Sequence, residues 1–115
     1  MKKLLMMISL LMLGACKPVQ LVTPTQADVS RVLQKFPGIT VDELNEGKSI
    51  FENNCDLCHR LKNPVKKNEK QWHRIVPKMV RRVNWIRKEN GIDSTSKQIL
   101  LKYLITMSSA PEGEK

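Results

Sequence analysis

The chain has 115 residues, enough for one small domain, and carries 20 Lys and Arg against 11 Asp and Glu, a net charge of +9. No internal repeat, phosphate-binding P-loop, dinucleotide-binding glycine pattern or Ser/His/Asp arrangement stands out, and no nucleic-acid-binding motif accompanies the basic charge. The composition therefore gives no support to a nucleotide-dependent enzyme, a triad hydrolase or a nucleic-acid-binding domain.

The N-terminus has the pattern of an export signal. Two lysines precede the apolar run "LLMMISLLML", whose ten residues are too few to span a bilayer, which takes about 20. A buried core helix is the alternative, and the position at the extreme N-terminus disfavours it. The exit "LGAC" resembles the lipobox of bacterial lipoproteins, which implies cleavage before Cys16 and acylation of Cys16; an ordinary signal with an incidental cysteine is the alternative.

A first helix is predicted at about residues 23–36. Thr23 is expected to cap it, with Pro24 at its first position and Gln26 closing a capping box. Its apolar side chains fall on one helical face and Pro37-Gly38 ends it. These side chains are Val29, Val32, Leu33 and Phe36.

A second helix follows the capping box of Thr40 and Glu43. Its predicted inner face carries Leu44, Gly47, Phe51 and Cys55 at helical spacing. A glycine within a helix costs about 1 kcal/mol relative to alanine. Gly47 therefore marks either a close approach of another helix or a tolerated surface position, and the spacing alone does not separate the two.

Two more helices are predicted in the second half. Asn68 with Gln71 is a third capping box, and Pro77 predicts a kink or break in the helix that follows. After a polar turn around Gly91, the last helix is predicted to begin near Ser94 or Thr95. No run of strand alternation is convincing, so the fold class is predicted as all-α.

The segment "CDLCH" combines Cys55, Cys58 and His59. A structural zinc site needs about four ligands, and His59 abuts Cys58, which is poor geometry for a tetrahedral site. A thioredoxin-like disulfide would be expected in a βαβ context. The remaining interpretation is C-x-x-C-H, the attachment signature of c-type haem, in which each thiol forms a thioether with a vinyl group and the histidine becomes an axial iron ligand.

Beyond this signature, "GKSIFENNCDLCHR" resembles the first helix and haem-binding segment of class I cytochromes c. Gly47 and Phe51 match the family's glycine and aromatic residue, and Tyr103-Leu104 matches its last helix. "WHRIVPKM" followed by "ILLKYL" is similar to small single-haem bacterial members with W-x-x-I/V-x-x-M after the haem motif. The resemblance covers residues 41–107 and implies a small helical domain wrapped around one haem c, held through Cys55 and Cys58.

The sixth iron ligand is predicted to be Met79, with His59 on the opposite side of the haem. Only 19 residues separate the two, fewer than in many class I members, so the loop at the haem edge is expected to be short. His73 and Met107 are the other candidates. A core methionine is the expected role of Met107, because it follows Tyr103 by one helical repeat.

The basic charge is concentrated between Arg60 and Lys88, which hold eleven Lys or Arg and one acid, Glu69. This segment is either a solvated face or a docking surface for a redox partner with an acidic face. We expect a one-electron carrier rather than an enzyme. An open-site haem protein, such as a gas sensor or small peroxidase, and a haem-free structural or metal-storage lipoprotein are the alternatives.

The expected organisation has four parts. Residues 1–15 form a lipoprotein signal peptide, 16–22 a lipidated tether, 23–108 the cytochrome c-like domain, and 109–115 a flexible tail. The protein is expected to be exported and lipid-anchored to a bacterial membrane, either facing the periplasm or at the outer membrane.

Overall fold

The computed structural model describes residues 19–57 and 59–111, which are helical and contain no strand. The prediction of an all-α fold is confirmed for this part. The signal segment, Cys16, Cys58 and residues 112–115 lie outside the described residues. The described residues form four α-helices and two 3₁₀ turns: α1 (Gln26–Val32), α2 (Val41–Asn54), a turn at Pro64–Lys66, α3 (Glu69–Arg87), a turn at Lys88–Asn90, and α4 (Ser94–Ser108).

Helix α1 begins later and is shorter than predicted. Thr25, not Thr23, is its N-cap, and the box is closed by Asp28, not Gln26. The Asp28 carboxylate accepts hydrogen bonds from the Thr25 backbone N–H at 2.8 Å and from Arg31 at 2.6 Å. This start is favoured because Asp28 is buried and its partner Arg31 also donates to the carbonyl of Thr106 on α4, so tertiary contacts reinforce the local capping bond.

Helix α2 is capped by Thr40 as predicted, because its hydroxyl accepts a hydrogen bond from the Glu43 backbone N–H, but the Glu43 side chain does not close the predicted box. The Glu43 carboxylate pairs with Lys102 of α4 at 2.6 Å. Glu43 therefore joins α2 to α4. The predicted inner face is buried along its whole length: Leu44, Gly47, Phe51 and Cys55.

Helix α3 has the predicted capping box, in which Asn68 and Gln71 exchange both hydrogen bonds. The predicted break at Pro77 is wrong, because α3 continues through it to Arg87. A proline removes one backbone hydrogen bond, here to the carbonyl of His73. Pro77 and His73 are both exposed, so this carbonyl lies on the solvent side, while Val76 and Val80 on either side remain buried in the core.

Helix α4 begins at Ser94, as predicted, with Asp93 as its N-cap. It crosses α2 at Gly47 and packs against α3, and it supplies the largest fully buried side chains, including Leu100, Tyr103 and Leu104. The Phe51 ring stands edge-on to Trp72 at 6.2 Å and is tilted against Tyr103 at 6.1 Å. Within the described residues, no helix has the length and apolar character needed to cross a membrane.

Candidate functional site

The C-terminal end of α2 and the middle of α3 face each other across a cleft with a volume of about 160 Å³. Three of the predicted site residues, Cys55, His59 and Met79, lie on its walls. The structure thus brings a thiol, an imidazole and a thioether to one place, although they are up to 24 positions apart in the sequence. The other lining residues are Asn54, Lys78, Arg82 and Val83.

Cys55 is the C-cap residue of α2, and its backbone N–H donates to the carbonyl of Phe51 at 3.0 Å. Burial, together with the nearby Asp56 carboxylate, raises the pKa of its thiol to about 12. Catalytic cysteines of disulfide exchange have a lowered thiol pKa and partial exposure, because the thiolate is the nucleophile. The environment of Cys55 is the opposite, which disfavours a redox disulfide in this segment.

His59 is exposed, and its Nδ1 lies 2.8 Å from the backbone carbonyl oxygen of Arg60. A carbonyl oxygen can only accept a hydrogen bond, so Nδ1 must carry the proton in this contact. The neutral ring then keeps the lone pair of Nε2 for another partner. A histidine whose Nδ1–H is fixed by a carbonyl is the usual arrangement of a metal-ligating imidazole.

Met79 lies on α3, is partly buried and packs against the hydrophobic core. The two other candidate ligands are elsewhere. His73 is exposed and lies 3.7 Å from the carboxylate of Glu69. Met107 is buried and lines a different small cavity beside Tyr103 and Pro64. Of the three candidates, only Met79 shares the cleft with Cys55 and His59.

Two long-range hydrogen bonds position the walls of the cleft. Arg87, at the end of α3, donates to the carbonyl of Asn53 at 2.7 Å and so satisfies one of the unpaired carbonyls in the last turn of α2. Trp72 donates from Nε1 to the carbonyl of Pro64 at 3.1 Å and holds the loop after His59 against α3. Trp72, the aromatic residue of the "WHRIVPKM" segment, therefore stabilises the site from within the core.

Four cleft residues were not predicted from the sequence as site residues: Asn54, Lys78, Arg82 and Val83. Helical spacing contains a signal for the last two, since Arg82 and Val83 follow Met79 by three and four positions and must share its face. Asn54 precedes Cys55 directly. The cleft therefore combines an apolar wall with two cationic side chains at its rim.

The described residues contain no cluster of three or more His, Cys, Asp or Glu side chains that could hold a metal ion. Methionine is not among these four residue types, so this finding does not bear on a thioether ligand such as Met79. Comparisons with protein-family models, curated proteins and solved structures gave no significant match to this chain.

Proposed function

We propose that this protein is a single-haem c-type cytochrome that acts as a one-electron carrier, lipid-anchored on the exported side of a bacterial membrane. The observation that carries the proposal is the cleft shared by Cys55, His59 and Met79. A bound haem would supply a reversible one-electron change at its iron. The finer fold that we propose is a class I cytochrome c-like domain wrapped around this group.

The residues of the cleft fit a haem by their chemistry. Cys55, with Cys58 two positions later in the sequence, would hold it through thioether bonds. His59 has an available Nε2 and Met79 a thioether sulfur, the ligand pair found in cytochromes c. Val83 offers an apolar contact, and the cations of Lys78 and Arg82 suit the propionate carboxylates that a haem carries.

The residues around the cleft have definite tasks in this function. The carbonyl of Arg60 fixes the tautomer and orientation of His59. The core formed by Phe51, Trp72 and Tyr103 excludes water from one side of the site, which limits solvent rearrangement when the charge changes. If His59 and Met79 both held the haem iron, they would leave no position on it for a substrate, so we propose a carrier and not an enzyme.

The basic segment from Arg60 to Lys88 would guide a redox partner with an acidic face, because opposite charges accelerate encounter. Lys78 and Arg82 stand at the rim of the cleft, where such a partner would approach the haem most closely. The rate of electron transfer should then fall as salt screens these charges. The partner that this charge would select is a redox protein with an acidic face.

The proposed carrier role is tested with one substitution made at two positions. Met79→Leu and Met107→Leu both replace a thioether with an apolar group of similar volume. Met79→Leu should open the reduced iron to carbon monoxide, lower the reduction potential and remove the far-red absorption of a methionine-ligated ferric haem. Met107→Leu should keep all three properties.

Carbon monoxide also separates the carrier from an open-site haem protein. The reduced wild-type protein should react slowly or not at all, since its sixth position is filled. Rapid stoichiometric binding to the wild type would assign the protein to the gas-sensor or peroxidase class. Unchanged coordination in Met79→Leu would show that another side chain is the ligand.

A further inference from the structure

The outer face of α3 carries an exposed tryptophan among cations. Trp85 is 81% exposed and its neighbour Ile86 is 44% exposed. Lys78, Arg81 and Arg82 precede Trp85 at helical spacing and line a shallow surface depression with it. A second depression on its other side is formed by Trp85, Ile86 and Lys88 together with Asn84. We call Arg81, Trp85, Ile86 and Lys88, which lie outside the cleft, the Trp85 face.

Among the residues that the structure describes, the cations of the Trp85 face form no ion pair with an acidic side chain. From Lys70 to Lys88 the sequence contains no Asp or Glu. Within the described part of the chain, no ion pair neutralises this positive charge, and an anionic surface would complement it.

A solvated basic face explains the lysines and arginines but not Trp85. Trp72, the other tryptophan, is 3% exposed and uses its N–H internally, whereas Trp85 exposes most of its surface to solvent. A ring with an apolar body and a polar N–H is most stable at the boundary between lipid and water. Long cationic side chains around it can place their stems in the same layer while their charges reach lipid phosphates.

We propose that the Trp85 face binds the anionic headgroup surface of a phospholipid bilayer and lays the domain on the membrane. A single helix side with shallow depressions has no groove that would enclose part of a protein partner, and a flat bilayer requires none. Each Lys or Arg near an anionic leaflet strengthens attachment roughly fivefold. The proposal does not depend on haem.

The proposed anchor at Cys16 would keep this face within reach of the membrane. Leu21 already packs against the core, so the chain from Cys16 to the domain is five positions long and spans at most roughly 18 Å when fully extended. A tether of this length gives a high effective concentration of the domain at the surface, so weak contacts become occupied. Arg81, Trp85 and Lys88 do not line the cleft, so the face can rest on lipid while Lys78 and Arg82 stay at the rim of the cleft.

The test is hydroxyl-radical footprinting of the full chain on lipid vesicles, read by mass spectrometry at the two tryptophans. Trp72 is the internal reference in the same molecule. On vesicles of phosphatidylcholine and phosphatidylglycerol, oxidation of Trp85 should fall roughly threefold or more relative to phosphatidylcholine alone, and high salt should reverse the effect. Arg81→Glu should raise the lipid concentration for half-maximal protection roughly fivefold or more.

Lys97→Glu, the same charge reversal on α4, is the matched control and should leave that concentration unchanged. Equal oxidation of Trp85 on both vesicle types would overturn the proposal, whether the protein carries haem or not. Protection by an acidic protein but not by anionic vesicles would also overturn it and would assign the face to a protein partner. Protection that survives Arg81→Glu and high salt would overturn the role of the cations.

Discussion

Gly47 of α2 lies so close to α4 that a Cβ atom on it would stand 2.4 Å from the Cβ of Tyr103 and 2.8 Å from the carbonyl oxygen of Ile99. Of the two interpretations of this glycine that the sequence left open, the close helix approach is confirmed. The approach places Tyr103 against Phe51, one turn before Cys55, so the helix crossing supports the candidate site directly.

Gly47→Ala is expected to lower the free energy of unfolding by about 1 to 2 kcal/mol, because the overlap with α4 outweighs the gain in helix propensity. Chemical denaturation monitored by circular dichroism measures the change. Glu46→Ala, at an exposed position of the same helix, is the matched control and should stay within about 0.5 kcal/mol of the wild type. Equal stability of Gly47→Ala and the wild type would contradict the close packing.

Much of the helix pattern follows from local sequence signals, because caps and apolar spacing are local. The box at Asn68, the cap at Thr40 and the start of α4 at Ser94 were all predicted correctly. The errors arose where tertiary packing overrides a local signal. Thr23 and Thr25 are each followed, three positions later, by a side chain that can complete a capping box. Thr25 becomes the N-cap because its partner, Asp28, is buried and also pairs with Arg31.

The cleft was only partly predictable for the same reason. The C-x-x-C-H motif identifies Cys55 and His59 from the sequence. The position of Met79 opposite them depends on how α3 packs against α2 and α4. The hydrogen bond from Arg87 to the carbonyl of Asn53 joins residues 34 positions apart, and nothing in either local sequence indicates it. The exposure of Trp85 likewise becomes visible only once the inner face of α3 is known.

Asp28→Asn is expected to destabilise the protein and to change its response to acid. Burial would raise the pKa of this carboxyl, but hydrogen bonds from the Thr25 backbone and the Arg31 guanidinium outweigh it, so the pKa lies below the ordinary value of 3.8. The resulting stability is present above that ordinary value and is lost as the pH falls through the lowered pKa. Denaturation midpoints between pH 7 and pH 2 should therefore fall less steeply in Asp28→Asn than in the wild type.

Arg31→Gln provides the complementary variant for this carboxyl. It keeps Asp28 but removes a donor that also reaches the carbonyl of Thr106 at 3.1 Å. The acid loss of stability should move to higher pH, because the pKa of Asp28 is less depressed. Identical acid profiles for wild type, Asp28→Asn and Arg31→Gln would show that the carboxyl does not link α1 to α4 as an anion.

Lys88→Gly is expected to raise the free energy of unfolding by about 1 kcal/mol, because Lys88 has a φ of 54° and glycine adopts positive φ without steric cost. Glu89→Gly is the matched control in the same 3₁₀ turn, at a residue outside the positive-φ set. Glu89→Gly should leave the free energy of unfolding unchanged or lower it, because glycine increases the conformational entropy of the unfolded chain. Thermal unfolding of both variants measures the difference, and a lower melting temperature for Lys88→Gly than for Glu89→Gly would contradict the strain at this position.

Cys16→Ser is expected to abolish lipid attachment and leave haem attachment intact, because the "LGAC" exit and the "CDLCH" segment are separate signals. Metabolic labelling with palmitate checks the first property and haem staining the second. Cys58→Ser should show the reverse pattern. Residual membrane association of Cys16→Ser through the Trp85 face should be released by high salt, and palmitate labelling of this variant would refute lipidation at Cys16.

The measurement closest to the central proposal is the intact mass and haem stain of the full chain after expression with and without a haem-attachment system. With the system, the denatured wild-type chain should carry the mass of one haem and stain on a gel. Without it, and in the double variant Cys55→Ser, Cys58→Ser, neither signal should remain. A wild-type chain that keeps its unmodified mass with both thiols free in the presence of the attachment system would contradict the proposed function.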